Sequence, residues 1–324
     1  MQMSSMGFRH ASLGLIFFAM AALMALPLKA SGAQENNPET ATLKVSGATI
    51  DVMLPEGPLK LSREELLGWV KASANAVANY YGHFPVPHLT LKMRSTSGSG
   101  IRHGVTYPKD GGLILISVGR DADVAATKED WVLVHEMIHL AFPSMEDDQH
   151  WIEEGISTYV EPVARARTGG MQVSEVWQTF VRDMPKGEPE SGDRGLDNTH
   201  TWGRTYWGGA IFCLLADVQI RERTNNHKGL EDALRGINRG GNINEDWDIG
   251  KALAMGDKAT GTTVLRDLYH QMRDKPAPVD LDQLWKKLGI AMKDGAVAFD
   301  DKAPEANIRK AITAPPSATA SKKP

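Results

Sequence analysis

The sequence predicts an α+β fold with a strand-rich first part and a mostly helical second part. Short segments that alternate apolar and polar residues, or that have a continuous apolar centre, cluster before residue 125. Longer segments with apolar residues at helical spacing follow it, and no internal repeat interrupts this order. We therefore expect one domain over residues 43–313, with a strand-rich half at 43–124 and a helical half at 125–313.

The N-terminal residues have the pattern of a secretory signal peptide. A basic residue, Arg9, precedes an apolar run over residues 13–28, and small residues follow at Ser31 and Ala33. Residues 1–33 are therefore predicted to be a signal peptide, and the protein to be periplasmic or secreted, with no stable membrane insertion after cleavage. An uncleaved N-terminal membrane anchor is the alternative. Two polar segments are predicted to be disordered, a linker at 34–42 and a tail at 314–324.

The strand-rich half contains one predicted helix among its strands. Residues 61–81 begin with Ser62 and have Glu65 three positions later, which is the pattern of a capping box. The alternating or apolar segments predict strands at 43–54, 88–95, 105–108 and 111–119. The last two should form a hairpin, and the edge of the strand at 111–118 is a candidate for pairing with an extended peptide.

The second half is predicted to be a succession of helices. Thr127 with Asp130 has the spacing of a capping box for a helix that runs to Pro143, and a second helix should end at Thr168. Further helices are predicted at 173–184, 205–223, 228–237, 244–255, 261–274 and 280–288.

Charge and cysteine content exclude some classes of protein. The formal net charge is −4, and it becomes −6 when Arg9 and Lys29 leave with the signal peptide. This mildly acidic balance argues against a nucleic-acid partner, which favours a basic surface. The single cysteine, Cys213, allows no intrachain disulfide, and its apolar surroundings predict a small core residue.

The segment WVLVHEMIHLAF at 131–142 combines a buried pattern with ionisable side chains. His135 and His139 are four residues apart, so a helix places both imidazoles on one face, close enough to share a metal ion. Glu136 lies beside them, and H-E-x-x-H on a helix is a zinc-protease pattern with two ligands and a general base. Burying these side chains without a partner costs several kcal/mol. A metal ion would satisfy them.

A catalytic zinc ion needs a third protein ligand and one open position. The pattern H-E-x-x-H-x-x-G-x-x-H is excluded, because Phe142 and Met145 stand where it needs glycine and histidine. A glutamate on a second helix is the other common solution, and WIEEGISTYVE at 151–161 offers candidates.

HEMIH followed by WIEEGISTYVE resembles the gluzincin zinc metallopeptidases, and in particular the aminopeptidase clan and its glycyl-aminopeptidase-like (peptidase MA-like) relatives. The resemblance implies a thermolysin-like zincin catalytic domain with one zinc ion, and a peptide or protein substrate. It also implies that Glu154 is the third ligand beside His135 and His139, ahead of Glu153 or His150.

Two further residues take their roles from this resemblance. Glu161, seven residues after Glu154, matches an acid that orients a ligand histidine. TYWGGAIF resembles the family's Y-x-K-G segment, so Tyr206 matches the tyrosine that donates a hydrogen bond to the substrate oxyanion.

The sequence also departs from the family. Only fourteen residues separate His139 from Glu154, and Gly208 replaces the usual lysine. No G-x-M-E-N segment precedes the motif helix; GGLILIS is found there instead. That segment's glutamate holds a substrate amino group, so aminopeptidase activity is not implied.

These observations predict an exported zinc-dependent metallopeptidase that hydrolyses peptide bonds through a zinc-activated water, with Glu136 as general base. Tyr206 is the candidate oxyanion donor, and His200 is the reserve candidate. The alternative function is an inactive pseudo-peptidase that binds envelope peptides or proteins. Another amide or an ester as substrate also stays open, and the sequence does not specify the oligomeric state.

Overall fold

The first half of the chain folds into a five-stranded mixed sheet in the computed structural model, which describes residues 39–315. Its strands are β1 (Thr40–Val45), β2 (Ala48–Met53), β3 (His88–Thr96), β4 (Ile101–Tyr107) and β5 (Leu113–Gly119). They lie in the order β1-β2-β3-β5-β4, with β2, β3 and β5 parallel and the two outer strands antiparallel to their neighbours.

The predicted hairpin at 105–119 is present, but its first strand, and not its second, forms the free edge of the sheet. β5 pairs with β3 on one side and with β4 on the other, so the strand at 111–118 has no exposed edge. β4 is the terminal strand of the sheet. An extended peptide would therefore have to pair with β4.

The N-terminal end of the sheet also differs from expectation. The single strand predicted at 43–54 is two strands, because Ser46 and Gly47 both have positive φ (45° and 88°) and form a tight turn. Residues 40–42 were expected in a disordered linker, but they pair with β2 as the start of β1. The predicted signal peptide at 1–33, residues 34–38 and residues 316–324 lie outside the described residues.

Helix α1 (Arg63–Tyr81) connects the parallel strands β2 and β3, as the sequence predicts. The Ser62 side chain accepts a hydrogen bond from the Glu65 backbone, and the Glu65 carboxylate accepts from the Ser62 backbone N–H. Leu66, Val70 and Val77 are buried on one face of α1. This face fixes the helix against the core.

The rest of the described chain is mostly helical. Its helices are α2 (Val124–Glu129), α3 (Val132–His139), α4 (His150–Arg167), α5 (Val173–Asp183), α6 (Gly209–Arg223), α7 (Leu230–Asn238), α8 (Ile249–Thr260), α9 (Val264–Met272), α10 (Leu281–Leu288) and α11 (Ala306–Thr313). A small hairpin of β6 (Ile290–Lys293) and β7 (Ala296–Phe299) lies between α10 and α11. No pattern in the sequence predicted this hairpin or α11.

The helix predicted to run unbroken to Pro143 breaks at Asp130. The backbone of Asp130 is extended (ψ 129°), and its carboxylate accepts from the backbone N–H groups of Val132 and Leu133 and from the Trp69 indole. Asp130 therefore starts α3, and the capping box predicted with Thr127 does not form. The Thr127 hydroxyl instead donates to the carbonyl of Val124.

A buried ionic network links α4, α6 and α7. Arg221 donates to Asp217 at 2.7 Å and to Glu231 at 2.8 Å, and Arg167 donates to Glu231 at 3.2 Å. Buried charges persist only when they are paired and hydrogen-bonded, and this arrangement satisfies both guanidinium groups.

The predicted α+β class, with an N-terminal sheet followed by a helical part, is confirmed. Residues 39–315 belong to one compact unit. Among the helices described, none is both long and apolar enough to cross a bilayer.

Candidate metal centre and cleft

Two helices bring the predicted metal ligands together. α3 places His135 and His139 on one face, with ring centroids 4.9 Å apart. Glu154, in the first turns of α4, directs its Oε2 to both rings, at 3.0 Å from His135 Nε2 and 3.7 Å from His139 Nε2. One ligand atom from each residue lies within 4.8 Å of the other two.

His139 is a neutral donor because α3 is buried. Val132 and Leu133 belong to the core, and His135 is only 5 % exposed. Burial, and then the neighbouring His135, lower the pKa of His139 to about 3. A neutral imidazole keeps the lone pair that a metal ion needs.

Glu154 is an ionised carboxylate between these rings. Burial alone would raise its pKa, but hydrogen bonds with His135 and His150 hold the pKa of Glu154 well below its ordinary value. The site therefore presents one negative charge and two imidazole nitrogens to the same point.

This donor set fits zinc. Two histidines and a glutamate are a known set of protein ligands for catalytic zinc, and tetrahedral ligands at about 2.0–2.2 Å from the ion are about 3.3 Å from one another. The distances of 3.0 and 3.7 Å from Glu154 to the two rings lie on either side of that value. Within residues 39–315, no second group of three histidine, cysteine or acidic side chains meets the same distances.

His150 also contacts the third ligand. It is the first residue of α4, and its Nε2 lies 3.1 Å from Glu154 Oε1. Its Nδ1 lies 3.2 Å from Glu153 Oε2, so Glu153 faces His150 and not the two ligand histidines. Hydrogen bonds with Glu153 and then Glu154 raise the pKa of His150 to about 10.

The predicted base, Glu136, is held by strand β4. The Thr106 hydroxyl donates to Glu136 Oε2 at 2.6 Å and to the Glu136 carbonyl at 2.9 Å. A Cβ atom at Gly104 would lie 2.4 Å from Glu136 Cγ, so only glycine allows β4 this close. Burial raises the pKa of Glu136, and the Thr106 hydrogen bond opposes that rise. No motif in the sequence pointed to Thr106 or Gly104.

The predicted oxyanion donor, Tyr206, lies on the other side of His135. It belongs to a π-helical turn (Gly203–Gly208) that leads into α6, and its ring stacks on His135 with centroids 6.3 Å apart. Burial, and then the charges of Glu154 and Glu136, raise the pKa of Tyr206 to about 12. The hydroxyl therefore keeps its proton at neutral pH. The reserve candidate, His200, is instead 3.5 Å from Asp148.

A direct contact between two glycines joins α4 to the turn that carries Tyr206. A Cβ atom at Gly155 would lie 2.4 Å from Gly209 Cα, and one at Gly209 would lie 2.3 Å from the Trp151 carbonyl. The two backbones touch with no side chains between them. Glu154 and Tyr206 thus lie next to the point where α4 and α6 cross in direct backbone contact.

Glu161 has a different partner from the one expected. Arg165 Nη1 donates to its Oε1 at 2.9 Å, and Arg165 also donates to the carbonyl of Lys128. Among the hydrogen bonds of residues 39–315, none joins Glu161 to His135 or His139. Burial raises the pKa of Glu161 to about 7 against the effect of Arg165. The carboxylate of Glu161 is thus paired with Arg165, and its role in orienting a ligand histidine stays a prediction.

These residues line an open cleft of about 560 Å³. Its walls are residues 101–106 of β4, the start of α3, and the side chains of His150, Glu154 and Tyr206. Trp131 is 54 % exposed and lines this cleft. The cleft leads from the solvent to the three converging ligands, with Glu136 on one side and Tyr206 on the other.

Comparison with models of known protein families found no match, and no protein of curated function matches the sequence. Solved structures do match. An aminopeptidase N family protein from Idiomarina loihiensis superposes with a TM-score of 0.56 over 83 % of this chain and 53 % of that chain, at 11 % identity. This similarity shows a shared fold.

Two weaker matches are from Deinococcus radiodurans. An M1 zinc metallopeptidase has 14 % identity and a TM-score of 0.49 over 74 % of this chain and 52 % of its own. A mutant of an M1 zinc metallopeptidase bound to a Tyr-Ser-Ala substrate has 13 % identity and the same TM-score over 74 % of this chain and 53 % of that one. The chain spans about half the length of the structures that it matches.

Proposed function

We propose that this chain is a zinc-dependent metallopeptidase of the gluzincin type, related to the aminopeptidase clan and its glycyl-aminopeptidase-like members. One observation carries the proposal: the side chains of His135, His139 and Glu154 converge from two helices, with Glu136 next to them. The fold shared with an aminopeptidase N family protein supports it.

His135, His139 and Glu154 would hold one zinc ion. Zinc bound there supplies Lewis acidity, which polarises a carbonyl oxygen and lowers the pKa of a coordinated water to about 7. Glu136 accepts the proton of the attacking water and passes it to the leaving amine. The hydrogen bond from Thr106 keeps the Glu136 carboxylate in one orientation for both transfers.

Tyr206 supplies the second stabilising group. Its protonated hydroxyl donates to the oxygen that gains negative charge as the water adds to the carbonyl carbon. Removing one such donor typically costs about 3 kcal/mol of transition-state stabilisation. Stacking on His135 keeps the phenol beside the ligands.

Strand β4 supplies the backbone contacts for the substrate. As the terminal strand it has N–H and C=O groups that face away from β5, and it lines the cleft along residues 101–106. An extended peptide that pairs with this edge would place one of its carbonyl groups beside Glu136. We therefore propose peptides or proteins as substrates.

Metal analysis tests the metal site. The purified protein should bind about one zinc ion per chain. Glu154→Gln should weaken zinc binding, because it replaces an ionised ligand with a neutral amide. Glu153→Gln is the matched control: it makes the same change at the neighbouring residue, which faces His150, and it should retain zinc.

Hydrolysis tests the enzyme function. The zinc-loaded protein should cleave members of a peptide library, and Glu136→Gln should bind zinc but lose at least about 10²-fold in kcat. Equal activity of the two proteins would refute the role of Glu136. Zinc binding without hydrolysis of any peptide would favour the pseudo-peptidase alternative.

We also propose that the protein is exported, on the basis of the N-terminal pattern. N-terminal sequencing of the protein recovered from the periplasm or the medium should give a chain that begins near Gln34. Recovery of an uncut chain from the membrane fraction would instead support a retained anchor.

A further inference from the structure

The cleft offers no free carboxylate to a substrate. Among the described residues that line it, the only carboxylates are those of Glu136 and Glu154. Both are engaged: Glu136 accepts from Thr106, and Glu154 contacts His135 and His150. Neither is available to hold a charged group of the substrate.

Basic side chains lie on the strand where the substrate would pair. Arg102 and His103 are exposed and line the cleft. A register shift between Arg102 and Val105, with His103 at a φ of 51°, makes a bulge at this point of β4. Within residues 39–315, no ion pair joins Arg102 or His103 to an acidic side chain. A β-bulge redirects side chains, and bulges are frequent next to active sites.

This arrangement disfavours a free amino terminus next to the reacting bond. An ammonium group that leaves bulk water needs a carboxylate partner, and here it would meet the guanidinium of Arg102 instead. An internal peptide bond brings no such charge. An acidic side chain of the substrate would be attracted to Arg102.

We propose that the cleft selects internal peptide bonds of substrates that carry an acidic side chain beside Arg102. The inference rests on the proposed function, since it names the substrate class of the same site. In the reaction, the oxygen of water bonds to the carbonyl carbon, the C–N bond breaks, and one proton of the water passes to the leaving nitrogen. The products are two peptides, one with a new carboxylate and one with a new amine.

Paired peptides test the choice of bond. Ten-residue peptides of mixed sequence are prepared with a free N-terminus and with an acetylated one, and the products are identified by mass spectrometry. We expect cleavage inside both forms, with rates that differ by less than about twofold. Stepwise release of single residues from the free form, with the acetylated form resistant, would overturn the inference.

Charge reversal tests the role of Arg102. The ratio of kcat/KM for acidic over lysine-containing acetylated peptides should fall about tenfold or more in Arg102→Glu. Lys92→Glu makes the same change in charge at an exposed position of β3, outside the cleft, and should leave the ratio unchanged. An unchanged ratio in Arg102→Glu would contradict the inference.

A binding measurement separates this inference from the proposed function. If no peptide is hydrolysed, the proposed peptidase activity fails, but zinc-loaded Glu136→Gln can still be titrated with the same acetylated peptides by fluorescence anisotropy. Tighter binding of acidic peptides, weakened by salt and by Arg102→Glu, would support the inference. Equal binding of acidic and lysine-containing peptides would overturn it.

Discussion

At the scale of single residues, the position of Glu136 depends on the hydroxyl of one neighbour and on the lack of a side chain in another. Thr106 donates to the Glu136 carboxylate, and Gly104 leaves space for the methylene groups of Glu136. Both belong to β4, about thirty residues before the motif. The sequence identified Glu136 because it lies next to His135 and close to His139 along the chain. It did not identify Thr106 or Gly104, because their contacts depend on where the sheet places β4.

The Thr106 hydrogen bond gives the first residue-scale prediction. Thr106→Val keeps the shape of the side chain but removes the hydroxyl, so Glu136 loses its fixed orientation. We expect kcat to fall about tenfold or more, corresponding to the net value of a hydrogen bond to a charged group. Thr106→Ser retains the donor and should keep most of the activity.

Zinc content distinguishes this effect from damage to the metal site. Zinc binding should be the same in wild type, Thr106→Val and Thr106→Ser, since the Thr106 hydroxyl bonds Glu136 and none of the three ligands. A Thr106→Val protein with full kcat would show that Glu136 needs no support from β4.

At the scale of elements, the strands and helices were more predictable than their junctions. The capping box of α1 and the apolar faces of the later helices depend on residues a few positions apart, so the sequence located them. The break at Asp130 depends on the Trp69 indole, 61 residues away, which helps to fix the carboxylate that starts α3. The edge position of β4 likewise depends on how β3, β5 and β4 pair, and not on the sequence of any one of these strands.

A contact between β2 and β3 gives the element-scale prediction. His88 Nε2 lies 2.9 Å from Asp51 Oδ2, and a hydrogen bond with Asp51, followed by one with the Asp110 carbonyl, raises the pKa of His88. Hydrogen bonds with His88 and then Thr42 lower the pKa of Asp51. Both side chains are more than a third exposed, so the pair should contribute less than about 1 kcal/mol.

The sign of each shift sets the pH window. The contribution of His88 to the free energy of unfolding is complete below its pKa in the unfolded chain, near 6.5. It is lost as pH rises through the higher pKa of the folded protein. The contribution of Asp51 to the free energy of unfolding is complete above its pKa in the unfolded chain, near 3.8. It is lost as pH falls through the lower pKa of the folded protein. The difference in free energy of unfolding between wild type and Asp51→Asn should therefore be largest near pH 5.

Urea unfolding at several pH values measures this difference. Asp121→Asn, at an exposed aspartate in the turn after β5, is the control and should show little dependence on pH. A difference for Asp51→Asn that stays constant from about pH 4 to pH 9 would refute the coupling to His88.

At the scale of the whole molecule, the fold class followed from the order of strand and helix patterns, whereas the long-range polar network did not. No sequence motif joins Asp217, Arg221 and Glu231. They are buried because α4, α6 and α7 pack around them, and only the assembled fold determines that. The contact of Arg165 with the carbonyl of Lys128 likewise depends on how α4 packs.

Metal removal gives the prediction at this scale. The candidate ligands come from α3 and α4, so zinc should bind the folded chain and not the unfolded one. At a zinc concentration about 1,000-fold above Kd, the stabilisation is about 4 kcal/mol. For a domain of this size, that shifts Tm by on the order of 10 °C.

Calorimetry with and without a chelator measures the shift. Zinc added back should restore the higher Tm in wild type and in Glu153→Gln, but not in Glu154→Gln. An identical Tm in chelator and in excess zinc would contradict the metal site.

The contact of Gly155 with Gly209 has a consequence for how the centre can move. With no layer of side chains between the two backbones, the crossing has nothing that can repack, slide or absorb a small displacement. Any tilt of α4 must carry the phenol of Tyr206 along with the carboxylate of Glu154. Opening and closing of the cleft must then come from the opposite wall, where β4 is attached to the sheet by one neighbour alone.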